Sequence, residues 1–77
     1  MEIKILGTGC RKCKSLEKMT YDTLAELNIE ASVSKEEDIM KIMSYGILST
    51  PGLVIDDKVA LSGRLPSKNE LKALLTQ

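Results

Sequence analysis

Two cysteines, Cys10 and Cys13, stand three residues apart in the stretch GTGCRKCK, with Arg11 and Lys12 between them. They are the only cysteines of the 77-residue chain, which has no histidine. Thiols at this spacing can do three things. They can close a structural disulfide, ligate a metal, or exchange electrons with another disulfide. A structural staple is the weakest reading, because so short a loop constrains the unfolded chain little. A zinc site normally takes four Cys or His ligands, and one copy of this chain offers two. A soft ion such as Cu(I) is suited by two thiolates. Exchange needs one thiolate that attacks and a second thiol within reach to resolve the mixed disulfide.

The elements around the pair favour exchange. Residues 2–6 alternate, with Ile3 and Ile5 on one side and Leu6 on the other, as in a strand buried on both faces. Gly7 and Gly9 interrupt it. From residue 10 to residue 28 the period lengthens, and Cys13, Leu16, Thr20, Leu24 and Leu27 form one stripe of an amphipathic helix. Residues at i and i+3 share a side of such a helix. Cys10 at the helix start faces amide N–H groups without intrahelical acceptors and the positive end of the dipole. Such placements lower a cysteine pKa from about 8.5 into roughly the 3.5–7.5 range. Cys13, on the apolar stripe, is expected to be the more buried thiol. Cys10 is therefore the candidate nucleophile and Cys13 the resolving thiol. Gly9 clears the approach, and Arg11 and Lys12 add positive charge that is screened where exposed.

The rest of the chain reads as further short elements. Ile29, Ala31 and Val33 predict a second strand. Ser34 followed by Glu37 predicts a capping box opening a second helix, with Ile39, Met40, Ile42 and Met43 on its apolar side and Gly46 as its stop. Residues 53–55 and 59–61 predict a hairpin turned at Asp56-Asp57, a weaker signal than Asn-Gly. Ser67 with Glu70 predicts a second capping box and a last helix with Leu71, Leu74 and Leu75 inward. The order is βαβαββα: an α/β domain spanning residues 1–77, with helices on both faces of a four-stranded mixed sheet whose first two strands are parallel across a right-handed crossover.

Composition excludes other classes. Eleven Lys and Arg balance eleven Asp and Glu, and there is no Trp or Phe. A nucleic-acid binder would carry a basic face and, often, aromatic platforms. No apolar run approaches the ~20 residues of a membrane span, and the opening MEIKILG is too short and too alternating for a signal peptide. A cytoplasmic protein is expected, and there paired cysteines are more often catalytic or metal-binding than structural.

Thr50-Pro51 precedes the third strand. Proline is excluded from central strands and adopts the cis form far more readily than other residues. A cis bond would turn the backbone of Thr50 outward, where an extended substrate could pair with it. With the CxxC at the head of the first helix and the closing helix, this Thr-Pro step resembles the thioredoxin fold, and in length the small glutaredoxin-sized redox-active disulfide proteins of archaea and bacteria. The resemblance implies sheet order 4-3-1-2, a cis Pro51 near the sulfurs, and dithiol–disulfide exchange. Cys10 would be the nucleophile, Cys13 the resolving thiol, and Thr50 and Pro51 the substrate-docking backbone. It implies no cofactor beyond the Cys10–Cys13 disulfide, protein disulfides as substrates, and a thioredoxin-reductase-like electron donor. A monomer is expected. The sequence departs from the family in two ways. Arg11-Lys12 replaces the usual Gly-Pro or Pro-Tyr pair, and the strand below the thiols offers Ile3, Lys4, Ile5 and Leu6 in place of a buried acid. Two other readings compete. One is a Cu(I) carrier, whose fold would run βαββαβ and end on a strand. The other is a non-catalytic adaptor whose cysteines sense redox state.

Overall fold

The computed structural model describes residues 1–76. Four strands, β1 (Glu2–Leu6), β2 (Ser32–Glu36), β3 (Gly52–Ile55) and β4 (Lys58–Ser62), alternate with helices α1 (Arg11–Leu27), α2 (Ile39–Ser44) and α3 (Lys68–Leu75) in the order βαβαββα. The sheet order is β2-β1-β3-β4, as the resemblance implied. β1 is interior. It pairs in parallel with β2, from Glu2↔Ser32 to Leu6↔Glu36, and antiparallel with β3, from Ile3↔Ile55 to Leu6↔Gly52.

The pleat of β1 divides the core. Ile3 and Ile5 meet Leu53 and Leu61 of the sheet, Leu16 and Leu24 of α1, and Leu71 and Leu75 of α3. Leu6 points the other way, onto Val54, Ile42 and Ile47. One face is thus covered by the two longer helices and the other by the short α2. Burial of a full aliphatic side chain is worth about 1.5–3 kcal/mol, so the first face carries most of the stabilisation.

Two expected boundaries are corrected. The second strand spans Ser32–Glu36 and not residues 29–33. Residues 28–29 belong to the end of α1. Asn28 takes a left-handed conformation (φ 56°), its N–H donates to the Ala25 carbonyl at 3.2 Å, and the Ile29 N–H donates to the Leu24 carbonyl at 3.0 Å. This closing turn satisfies the last carbonyls of the helix. Ile29 and Ala31 still pack on the core, so the connection shows an apolar alternation without being a strand. The second helix does not begin at Ser34 either. Pairing with β1 holds Ser34 extended, and Asp38 is the cap, accepting the Met40 N–H at 2.9 Å. Gly46, with φ +82°, follows that helix as expected and donates to the Met43 carbonyl at 2.9 Å. At α3 the cap is as predicted on one side only: Ser67 accepts the Glu70 N–H at 3.1 Å, while the Glu70 carboxylate takes both guanidinium nitrogens of Arg64.

The hairpin turn is tighter than its residues suggested. Asp56 and Asp57 both have positive φ, 48° and 67°. A compensation comes from β1: the Asp56 N–H donates to the Glu2 carbonyl and the Asp56 carboxylate accepts the Glu2 N–H, each at 2.8 Å. The turn is therefore pinned to the start of the central strand. Beyond it, Leu53↔Leu61 and Val54↔Val59 pair with Ala60 left over, a β-bulge in the edge strand.

Asp56→Ala is expected to destabilise the fold by about 1–2 kcal/mol, from a lost hydrogen bond and a β-carbon without local compensation at positive φ. Asp56→Asn should lose less. Urea denaturation of the three proteins checks this. A second expectation concerns pH. The Arg64 guanidinium holds Glu70 below its ordinary value of 4.5. The contribution of this pair is fully present above about pH 4.5 and is lost as pH falls through the lowered value. In Glu70→Gln that part of the acid dependence should vanish from the denaturation midpoints.

Candidate active site

The site is built where β1 runs into α1. The Gly7 N–H extends the sheet by one bond to the Glu36 carbonyl at 3.0 Å. Gly9, with φ +89°, then turns the chain through a conformation that side chains disfavour. Cys10 is extended (φ −68°, ψ 167°) and stands as the cap of α1. Its Sγ accepts the Cys13 N–H at 3.2 Å, in the place where a Ser, Thr or Asp oxygen usually sits. The first turn of the helix carries no acid. Arg11, Lys12 and Lys14 are exposed around it, and none of them forms an ion pair among the described residues.

Cys10 and Cys13 are joined by a disulfide, with Cα atoms 5.1 Å apart. Their environments differ as the helical stripe predicts. Cys10 is exposed, whereas Cys13 is 5% exposed and shares the inward side of α1 with Leu16, Thr20, Thr23 and Leu24. Thr20 satisfies its hydroxyl on the Leu16 carbonyl at 2.8 Å, so this polar group does not disturb the stripe.

The two glycines of the loop have separate uses. A Cβ on Gly9 would meet nothing within 4 Å, so its requirement is conformational. A Cβ on Gly7 would overlap the Cys13 sulfur and stand 2.9 Å from the Cys13 Cβ. Gly7 is therefore the residue that admits the buried thiol. Continuing the β1–β3 register one step past Leu6↔Gly52 sets Pro51 across from Gly7. The Thr50–Pro51 peptide bond is cis, and Pro51 is buried. The Thr50 N–H and C=O have no hydrogen-bond partner among the described residues. The Pro51 carbonyl accepts the Gly63 N–H at 2.8 Å, which ties this loop to the turn after β4. Gly63 has φ +80°, and a Cβ there would come within 2.6 Å of the Ser49 Oγ. No spacing rule in the sequence links residue 63 to residue 51.

The Thioredoxin domain family model matches residues 1–76. Full-length similarity points the same way: a thioredoxin of Methanothermobacter thermautotrophicus is 38% identical over 76 residues, covering 99% of both chains. A thioredoxin of Methanocaldococcus jannaschii is 36% identical over 91% of this chain and 80% of its own. The chain belongs to the thioredoxin family. It is a thiol–disulfide oxidoreductase, and the family implies protein disulfides as substrates and a reductase as electron donor.

Within that family the site keeps its own features. The strand under the thiols presents Lys4, whose ammonium donates to the Tyr45 hydroxyl at 3.1 Å and lies 5.9 Å from the centre of that ring. This bond pushes the Lys4 pKa above its ordinary value of 10.5. The fourth element is the helix α2, whereas the βαββαβ order of a Cu(I)-carrier fold has a strand there. Among the described residues no cluster of three or more His, Cys, Asp or Glu could hold a metal, and no helix is long and apolar enough to cross a membrane.

Gly7→Ala is expected to destabilise the oxidised protein by about 1–3 kcal/mol, the usual cost of overpacking. Gly9→Ala strains the backbone without a clash. The two losses are measured as shifts in the urea midpoint with the disulfide intact. Only the Gly7 variant should also lower the yield of the Cys10–Cys13 disulfide under a glutathione redox buffer.

Proposed function

We propose that Cys10 and Cys13 exchange electrons with protein disulfides, Cys10 as nucleophile and Cys13 as resolving thiol. The observation that supports this assignment is the sulfur cap: the exposed Cys10 Sγ accepts an amide of the first turn, while Cys13 is turned into the core. That amide and the helix dipole favour the anionic sulfur, the form that attacks. Arg11 and Lys12 add positive charge, and Gly9 sets the backbone that delivers Cys10 to the cap.

In the forward direction the Cys10 thiolate attacks one sulfur of the partner's disulfide. A Cys10–partner bond forms, and the partner's other sulfur leaves as a thiolate. Cys13 then loses its proton to solvent and attacks the Cys10 sulfur. The Cys10–Cys13 bond closes, the second partner thiolate leaves, and two electrons have passed to the partner. Thr50 offers its unpartnered N–H and C=O to an extended segment of that partner, with Pro51 holding the backbone beside the sulfurs. A thioredoxin-reductase-like donor returns the pair to the dithiol. The protein acts as a monomer in the cytoplasm, where such a donor keeps thiols reduced.

A dithiothreitol-driven insulin-reduction assay tests the roles. Cys10→Ser should abolish turnover. Cys13→Ser should stop after one attack and accumulate a mixed disulfide on Cys10, visible as an adduct by mass spectrometry. Turnover by Cys10→Ser at the wild-type rate would sink the assignment.

A further inference from the structure

A net charge of zero hides an uneven distribution. Lys35, Lys41, Arg64, Lys68 and Lys72 each pair with a carboxylate, and Lys4 is held by Tyr45. The basic residues left are Lys58 and a cluster in the first half of α1: Arg11, Lys12, Lys14 and Lys18. All of that cluster is exposed, and none of it forms an ion pair among the described residues. The acids of α1 do not answer it. Glu17 pairs with Lys35, Glu26 pairs with Lys68 and Lys72, and Asp22 forms no ion pair among the described residues. Arg11, Lys14 and Lys18 follow one another at steps of three and four, so they share one line of the helix. The line begins beside Cys10, whose carbonyl accepts the Lys14 N–H at 3.0 Å, and runs on to Tyr21, 52% exposed. It lies opposite the inward stripe of Cys13, Leu16, Thr20 and Leu24. This arrangement works against the helix, because cations in a first turn oppose the dipole and like charges at these steps repel. Stabilisation of a thiolate accounts for only part of it. Lys18 is eight residues from Cys10. That is about 12 Å along the axis, beyond the Debye length of about 8 Å at physiological ionic strength, so a charge there does little for the sulfur.

We propose that this outer line of α1, from Arg11 through Lys14 and Lys18 to Tyr21, is a docking surface for a partner protein that carries an acidic surface beside its own disulfide. The proposal rests on the reading of Cys10 as nucleophile and adds where the partner lies and what charge it presents. The line starts at the exposed sulfur, so a partner whose disulfide reaches Cys10 from the helix side covers it. Opposite charges steer that encounter and fix its orientation. Tyr21 ends the line with a side chain of a type enriched at protein interfaces. A nucleic acid would match the charge, but the chain has no Trp or Phe on which bases could stack. The exposed Asp22, one turn beyond Lys18, would also oppose a phosphate backbone.

The probes are disulfide-cyclised peptides of one sequence, with dithiothreitol as reductant. A Gly-Ser spacer extends each by a tail of Glu, Lys or Ser, long enough to follow residues 11–21, about 15 Å of helix. At physiological ionic strength the wild-type protein is expected to reduce the Glu-tailed peptide with a kcat/KM about tenfold above the Ser-tailed one, the scale of a few exposed ion pairs. The Lys-tailed peptide should fall below both. The three should converge near 1 M salt, where the Debye length is about 3 Å. Lys18→Glu should lower the Glu preference and leave the tailless peptide at the wild-type rate. Lys14→Glu with Lys18→Glu should reverse the order of the Glu and Lys tails. Each preference is a ratio to the Ser tail, so a change in the reactivity of Cys10 itself cancels. Both sites are exposed and Glu is a good helix former, so folding is not at stake. Equal rates for Glu and Lys tails in the wild type, or a Glu preference undiminished in the double variant, overturn the proposal. So does tighter binding of a single-stranded oligonucleotide than of a Glu-tailed peptide of equal charge, both read by fluorescence anisotropy. None of these results touches the Cys10 assignment, which fails only if Cys10→Ser still reduces the tailless peptide.

Discussion

The close approach of α1 to the end of β1 is the constraint on which the rest of the site depends. Gly7 leaves no room for a β-carbon because the Cys13 sulfur occupies that place. With the helix that near, its first turn stands over the end of the central strand, and β3 brings Pro51 to the same spot from the other side. Three segments far apart in sequence converge there because β1 pairs with β2 from Glu2 to Leu6 and with β3 from Ile3 to Leu6. The burial of Ile3, Ile5 and Leu6 on opposite faces makes that position unique, since a one-residue slip would exchange the faces.

The chemistry comes from what the helix start lacks. Most helices satisfy their first amides with a side-chain oxygen. Here a sulfur does so, and no acid in the first turn complements the dipole. Both features give up some helix stability, and both suit the anionic sulfur that the proposed role of Cys10 requires. The compensation is distributed along the same helix. Leu16 and Leu24 enter the larger core cluster beside α3, Thr20 bonds its own backbone, and Asn28 closes the far end in a left-handed cap.

Much of this was legible in the sequence, for reasons that differ by element. β1 and α1 show strong periods because the alternation and the stripe are set within each element by which side is buried. The asymmetry of Cys10 and Cys13 follows from their places on a helical stripe, and the burial of Cys13 bears it out. The error over residues 29–37 has one physical origin. Ile29, Ala31 and Val33 alternate because a connection lies on the core, and Ser34 competes poorly as a cap against strand pairing with Lys4. Asp38 wins the cap instead. The Gly63–Pro51 bond was not legible, since it joins two loops whose proximity depends on the finished sheet.

The least expected residue is Lys4. A charge on the interior strand would be costly without a partner, yet this one is only half-buried. It lies on the face covered by α2 alone, and a helix of six residues leaves that face partly open. Tyr45, the residue that caps α2, reaches over to accept its proton-bearing nitrogen. The shortness of α2 therefore makes Lys4 tolerable, because it leaves the ammonium partly open to water and sets Tyr45 within its reach.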